Sequence, residues 1–339
     1  MNESPRLFAF RLLLPLASLL ALAACSGSSS STTGPREPAA GLLRKVSTPA
    51  EFELSIKTAL TTVTPVSVDV LASASAAEPA TGNFTGTYTQ EKNVDEFDAV
   101  RYDGEHLYVA PRRFFDCCFA VPEAQADGAV NTGDPAVASI RILETDPGSA
   151  SATLAGTIPL EDNVSVQGMY VDDNRLFALT GEIFYGTYGG GWSSLAIWAP
   201  EKLGFRIYDV TDKTAPLQEA NVSIDGVFVD SRRIGNTVYI VSRYAPDIEG
   251  LFFNPQNETE QAHNAALLAN ITLADLLPTI TIDGVTQSLV DPENCYVSND
   301  ERVPDYPVIT SVTAVPIDNP EAFVNTCIND DVYGAYVSE

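Results

Sequence analysis

Asp95, Glu96 and Asp98 place three carboxylates within four consecutive residues. Oxygen donors this close suit a hard cation, and calcium is the ion they would take. The same carboxylates are equally placed to accept from turn backbone, or to pair with Arg101, Arg112 or Arg113. No EF-hand pattern and no aspartate-rich glycine loop adds weight to calcium. Other metals have little to bind: the histidines are His106 and His263, and there is no C-x-x-C. No G-x-S-x-G, H-E-x-x-H, P-loop or dinucleotide fingerprint occurs, so no catalytic residue and no cofactor is assigned. Gly186–Trp192 is glycine-rich but opens no helix, and reads as a loop with aromatic contacts.

The five cysteines divide by place. Cys117 and Cys118 are adjacent and could bond to each other only in a strained ring. Cys295 and Cys327 sit in segments that flank one repeat of the chain, and in an oxidising compartment they are expected to form a disulfide. Cys25 follows Leu22-Ala23-Ala24, which resembles the bacterial lipobox. That resemblance implies cleavage before Cys25 and lipidation of its thiol. Ahead of it, Arg6 and Arg11 precede the apolar run Leu12–Leu22, too short and interrupted for a membrane span and typical of a signal peptide. Ser26 after the cysteine suits sorting to the outer membrane, by analogy with other lipoproteins.

The elements that carry these residues repeat. Val94–Ala110, Gly168–Leu179 and Gly226–Val241 each read as strand, tight turn, strand, about 60 to 70 residues apart. Asp103-Gly104, Asp173-Asn174 and Gly235-Asn236 stand where a hairpin needs positive φ. A strand ending near Asp and then an outer strand follow each hairpin: Ser139–Asp146 with Ala152–Leu160, Gly204–Asp212 with Pro216–Ile224, and Ile309–Asp318 with Glu321–Thr326. Four antiparallel strands per repeat make a propeller blade; a β-sandwich with regular turn signals is the alternative. The expected fold is therefore all-β, a partial propeller of about three blades. Asp331–Glu339 reads as the first strand of a fourth, with its core over Val332–Val337. Because propellers close with about four to eight blades, a chain truncated at its C-terminus is expected.

Around the blades, residues 1–24 read as the signal peptide and 25–46 as a flexible tether. Residues 47–85 read as a helix from the Ser47/Thr48 cap to about Leu60, followed by an Ala/Ser/Pro linker over Val66–Ala80. Residues 86–339 form the propeller domain, with an insertion over about 245–305 in the third blade. Within it, Glu258–Asn270 reads as a helix and Thr272–Pro278 as a capped turn stopped by proline. Its Leu267, Leu268, Leu276 and Leu277 would either cover a blade flank or form a binding lid.

Thr89–Gly104 resembles the opening signature of the secreted bacterial and archaeal β-propeller family distantly related to WD40 repeats. Phe205–Asp212 and Ser231–Arg243 resemble its next blades, and Thr272–Pro278 its inserted helix end. The resemblance runs from about residue 47 onward and implies fold and export, with no established activity. A net charge of −26 argues against nucleic acid and anionic lipid surfaces as partners. Two function classes follow. One is an exported, lipid-anchored surface module that binds protein or glycan. The other is a propeller hydrolase or lactonase with acids or a metal in the channel. The second needs acids at matching positions in successive blades, and those positions hold the turn residues Asp103, Asp173 and Gly235, which favours the binding class and leaves enzyme activity unassigned.

Overall fold

The computed structural model describes residues 43–62, 93–110, 139–161, 164–182, 202–252, 255–299, 307–330 and 332. In chain order these form β1 (Leu43–Lys45), α1 (Pro49–Thr62), β2 (Val94–Glu96), β3 (Val100–Tyr102), β4 (His106–Val109), β5 (Ser139–Asp146) and β6 (Ser151–Pro159). There follow β7 (Val164–Asp172), β8 (Arg175–Glu182), β9 (Lys202–Asp209), β10 (Leu217–Asp225), β11 (Val227–Ile234) and β12 (Thr237–Tyr244). The insertion then supplies α2 (Glu258–Leu268), α3 (Leu273–Leu276), β13 (Thr279–Ile282), β14 (Val285–Ser288) and β15 (Cys295–Ser298), before β16 (Ile309–Pro316) and β17 (Val324–Ile328).

The strands make three sheets, with orders β3-β4-β5-β6, β14-β13-β10-β9-β8-β7 and β1-β15-β17-β16-β12-β11-β2. Each contains one four-stranded antiparallel meander in the expected order: β3 to β6, β7 to β10, and β11-β12-β16-β17. The hairpin turns use the expected left-handed residues, with φ of 104° at Gly104, 50° at Asp173 and 55° at Gly235. Among the described residues no sheet closes on itself, and no helix is long and apolar enough to cross a membrane.

The second sheet decides between blade and sandwich. Along β8, Leu176 and Ala178 enter a core shared with Tyr108, Ile140, Ile142 and Ile158 of the first sheet. Their neighbours Phe177 and Leu179 point the other way, into a core shared with Val238, Ile240, Ile309 and Val315 of the third sheet. Side chains alternate along a strand, so β8 reads as an unbroken apolar run because both of its faces are buried. A sandwich wets one face of each sheet; here the middle sheet is covered on both, as a stacked blade is.

The insertion carries its expected helices, α2 and α3, and adds strands of its own. Its hairpin β13–β14 joins the outer edge of the second sheet, with Val222 opposite Ile282 and Ile224 opposite Ile280. Its β15 runs parallel to β17 at the outer edge of the third. Thr272 and Asp275 form a reciprocal capping box on α3, as the sequence pattern requires. Leu268, Leu276 and Leu277 are buried and Leu267 packs against the same core, so these leucines cover blade surface. Phe52, Ile56 and Leu60 of α1 enter that core too. The Ser47 N–H donates to Glu51 Oε2 at 2.7 Å and the Glu51 N–H to Thr48 Oγ1 at 3.2 Å, which starts α1 at the expected cap. β1, at the end of the stretch expected to be a tether, pairs with β15. The expected strand Val332–Val337 lies outside the described residues, except for Val332.

Candidate functional site

The acidic cluster lies on a segment that crosses the inner edges of the blades. The expected hairpin Val94–Ala110 is in fact divided, because Val94–Glu96 leaves the first sheet and pairs with β11 of the third. Asp98 then bridges to Met169 on β7 of the second sheet, its N–H donating to the Met169 carbonyl at 3.2 Å and its carbonyl accepting from the Met169 N–H at 2.8 Å. Only from Val100 does the chain enter its own sheet, as β3 against β4. Residues 94–102 thus strap all three blades together. Two packing facts divide the hairpin. Phe97 sits over Gly168 so closely that a Cβ there would meet its ring at 2.2 Å, and it meets Phe228 edge-on at 5.1 Å. The Asp98 carboxylate takes the Ala99 and Val100 N–H groups, at 2.6 and 3.4 Å, and turns the chain.

Two of the strap carboxylates, Asp95 and Glu96, face arginines. Arg101 Nη2 donates to both oxygens of Asp95, at 2.8 and 2.7 Å, while its Nη1 donates to the Glu96 carbonyl at 2.8 Å. Arg101 is only 9% exposed, and its guanidinium stands 5.8 Å from the centre of the Tyr170 ring. Arg233 lies 3.7 Å from Asp95 and 2.5 Å from Asp172, and Arg232 lies 3.9 Å from Glu96 and also contacts Asp230. The register explains this: Arg232 stands opposite Glu96 and Arg233 opposite Asp95 across an antiparallel pair. Tyr170 and Ser231 join hydroxyls at 2.5 Å beneath the pairs. Burial pushes the Tyr170 hydroxyl well above the ordinary phenol range, against the lowering effect of that Ser231 bond.

Chemically, this arrangement is a neutralised lock. A calcium ion needs about six to eight oxygens, and at Asp95 it would have to displace a two-pronged guanidinium bond. Among the described residues no group of three or more His, Cys, Asp or Glu is arranged to hold a metal. Arg101 is one of the partners the sequence offers; Arg112 and Arg113 lie outside the described residues. Sequence reading missed Asp172, Asp230, Arg232 and Arg233 as partners. The usable signal was an Arg-Arg pair on one strand and an Asp-Glu pair on another, but their pairing is not local in sequence.

The matching turn positions do structural work. Asp103 accepts from the N–H of Glu105 at 2.9 Å and of His106 at 2.7 Å, and from the Tyr108 hydroxyl at 2.9 Å. Burial acts to raise the Asp103 carboxyl, but the His106 and Glu105 N–H groups and Tyr108 outweigh it and hold it below the usual range. Lys213, from the loop after β9, comes within 3.8 Å of Asp103. The Gly156 position on β6 almost touches the Lys213 carbonyl, so this corner joins the first and second blades.

Cys295 and Cys327 stand directly opposite each other on β15 and β17, with Cα atoms 4.4 Å apart and their sulfurs at disulfide distance. Cys25, Cys117, Cys118 and the loop Gly186–Trp192 lie outside the described residues. Compared with known proteins, residues 84–339 match the family model described as a beta propeller domain. No curated protein and no solved structure matches the chain.

Proposed function

This chain belongs to the beta propeller domain family, and from that premise we propose that it is an exported, lipid-anchored protein of the bacterial envelope that binds protein or glycan without transforming it. One observation carries the preference for binding over hydrolysis. The concentrated acids of the repeat, Asp95, Glu96 and Asp98, are engaged by Arg101, Arg232, Arg233 and turn N–H groups, and serve to hold blades together. A hydrolytic acid pair needs carboxylates free to exchange protons with a substrate. The propeller then acts as a rigid scaffold whose inter-strand loops carry recognition.

The lipobox Leu22–Cys25 supports anchoring at Cys25, with the outer membrane as destination. Export to an oxidising compartment supports a bonded Cys295–Cys327 pair. Two measurements test the reading. Cys25→Ser should move the protein from membrane to soluble fractions; retention in membranes equal to wild type would refute the anchor. A glycan and peptide array probed with the full chain should give saturable binding to one ligand class. An array without saturable binding, beside turnover of ester or lactone substrates, would transfer the assignment to the hydrolase class.

A further inference from the structure

We propose that His106 is a proton-operated clasp on the joint between the first and second blades: on taking up a proton, its imidazolium pairs with Asp103 and displaces Lys213 from that carboxylate. The joint gathers at one oxygen. Asp103 Oδ2 accepts from the Tyr108 hydroxyl at 2.9 Å, stands 3.7 Å from His106 Nδ1 and lies 3.8 Å from Lys213 Nζ. Asp103, His106 and Tyr108 belong to the first blade, and Lys213 to the loop after β9 of the second. The His106 and Lys213 side chains are only 13% and 15% exposed, so salt and water screen two cations there poorly. His106 Nδ1 is shielded and makes no hydrogen bond among the described residues, and Asp103 Oδ2 is the anionic acceptor beside it.

The surrounding charges set the direction. Asp103 and Glu105 lie on the turn before His106, Tyr108 follows it on β4, and Glu144 stands opposite it on β5. The second blade brings Lys213, flanked by Asp212, with Asp209 at the end of β9. Carboxylates outnumber the one ammonium, which favours the imidazolium. Burial acts to raise the Asp103 carboxyl, but the His106 and Glu105 N–H groups and Tyr108 hold it below the usual range. Asp103 therefore stays anionic between pH 8 and pH 5, the span in which histidine side chains change charge. The His106 N–H already donates to Asp103 Oδ1 at 2.7 Å, so the ring is tethered beside the carboxylate. Lys213 reaches from another blade and stands beyond hydrogen-bond range, so it is the cation that yields. It keeps its bond to the Val210 carbonyl at 2.8 Å and moves toward Asp209. The Asp209 carboxyl is held below the usual range by Thr211, with Arg175 and Lys213 adding to the effect. The loop that presses the Lys213 carbonyl against Gly156 then loosens at acid pH.

Amide exchange of the full chain at residues 210–215 tests this, with each variant compared to wild type at the same pH so that the intrinsic pH dependence cancels. At pH 8, wild type and His106→Gln should match. At pH 5, these amides should exchange about threefold or more faster in wild type than in His106→Gln. Lys213→Met gives a second comparison that does not depend on the His106 variant folding. It should exchange faster than wild type at pH 8, where the clasp is open and Lys213 is in place, and converge with wild type at pH 5. Matching rates for wild type and His106→Gln at pH 5, or a gap between wild type and Lys213→Met that is as large at pH 5 as at pH 8, would overturn the proposal.

Discussion

Replacing Arg101 with alanine should destabilise the propeller by more than any surface pair does. Arg101 gives two bonds to Asp95, one to the Glu96 carbonyl, and a guanidinium face to Tyr170. Removing one partner of a buried pair typically costs about 3–5 kcal/mol, since the other charge is left behind. The Asp95 side chain is 24% exposed and keeps Arg233 at 3.7 Å, so solvent and a second cation recover part of that. A loss of about 2–3 kcal/mol is expected after this discount. For a domain of this size that lowers Tm by roughly 5–10 °C. Thermal unfolding followed by circular dichroism reads it, and Arg175→Ala is the matched control. Arg175 pairs with Glu219 and Asp318 but is 38% exposed, so its loss should cost less than about 1 kcal/mol. A double-mutant cycle of Arg101→Met with Asp95→Leu should return a coupling above about 1 kcal/mol. The reasoning is refuted if Arg101→Ala lowers Tm no more than Arg175→Ala does.

Gly168→Val should destabilise by about 1–3 kcal/mol, because the new side chain collides with Phe97 on the strap; an unchanged denaturant midpoint would show that the strap yields freely. Reducing the Cys295–Cys327 pair opens a loop of 32 residues and should remove about 4 kcal/mol in the chain-entropy model; equal midpoints with and without reductant would contradict the bond. Asp225 holds the start of β13 by accepting from the Thr279 N–H at 2.9 Å and its hydroxyl at 2.6 Å. Burial acts to raise its carboxyl, but these bonds and Lys202 prevail and hold it below the usual range. A lowered carboxyl stabilises the fold above its unfolded value of about 3.9 and loses that contribution as pH falls below it. The stability gap between wild type and Asp225→Asn should thus be full at neutral pH and shrink below about pH 4; a gap independent of pH would count against it.

The repeat was legible because its causes are local. Gly104, Asp173 and Gly235 mark the turns, and the strands beside them follow from alternation and β-branched content. Helix α2 and the α3 cap were legible for the same reason, since Asn257 and Thr272 act within three residues of themselves. The insertion's strands were harder. β13 exists because β10 offers it an edge, and no pattern within Thr279–Ile282 names that partner. The division of the first hairpin was hidden too. It depends on Phe97 meeting a gap at Gly168, about 70 residues away in sequence, and the arginine lock depends on β2 choosing β11 over its neighbour β3. Spacing showed that acids cluster at Asp95–Asp98; only the register shows that Arg233 faces Asp95 and Arg232 faces Glu96.

The most direct test of the assignment is the fate of a bound ligand. The full chain is incubated with the glycan or peptide class that binds it, and both ligand and products are followed by mass spectrometry. The account predicts that the ligand is recovered intact, in proportion to protein sites. Multiple turnovers that vanish in a folded Asp95→Asn variant would show that the acidic strap performs chemistry and would contradict it.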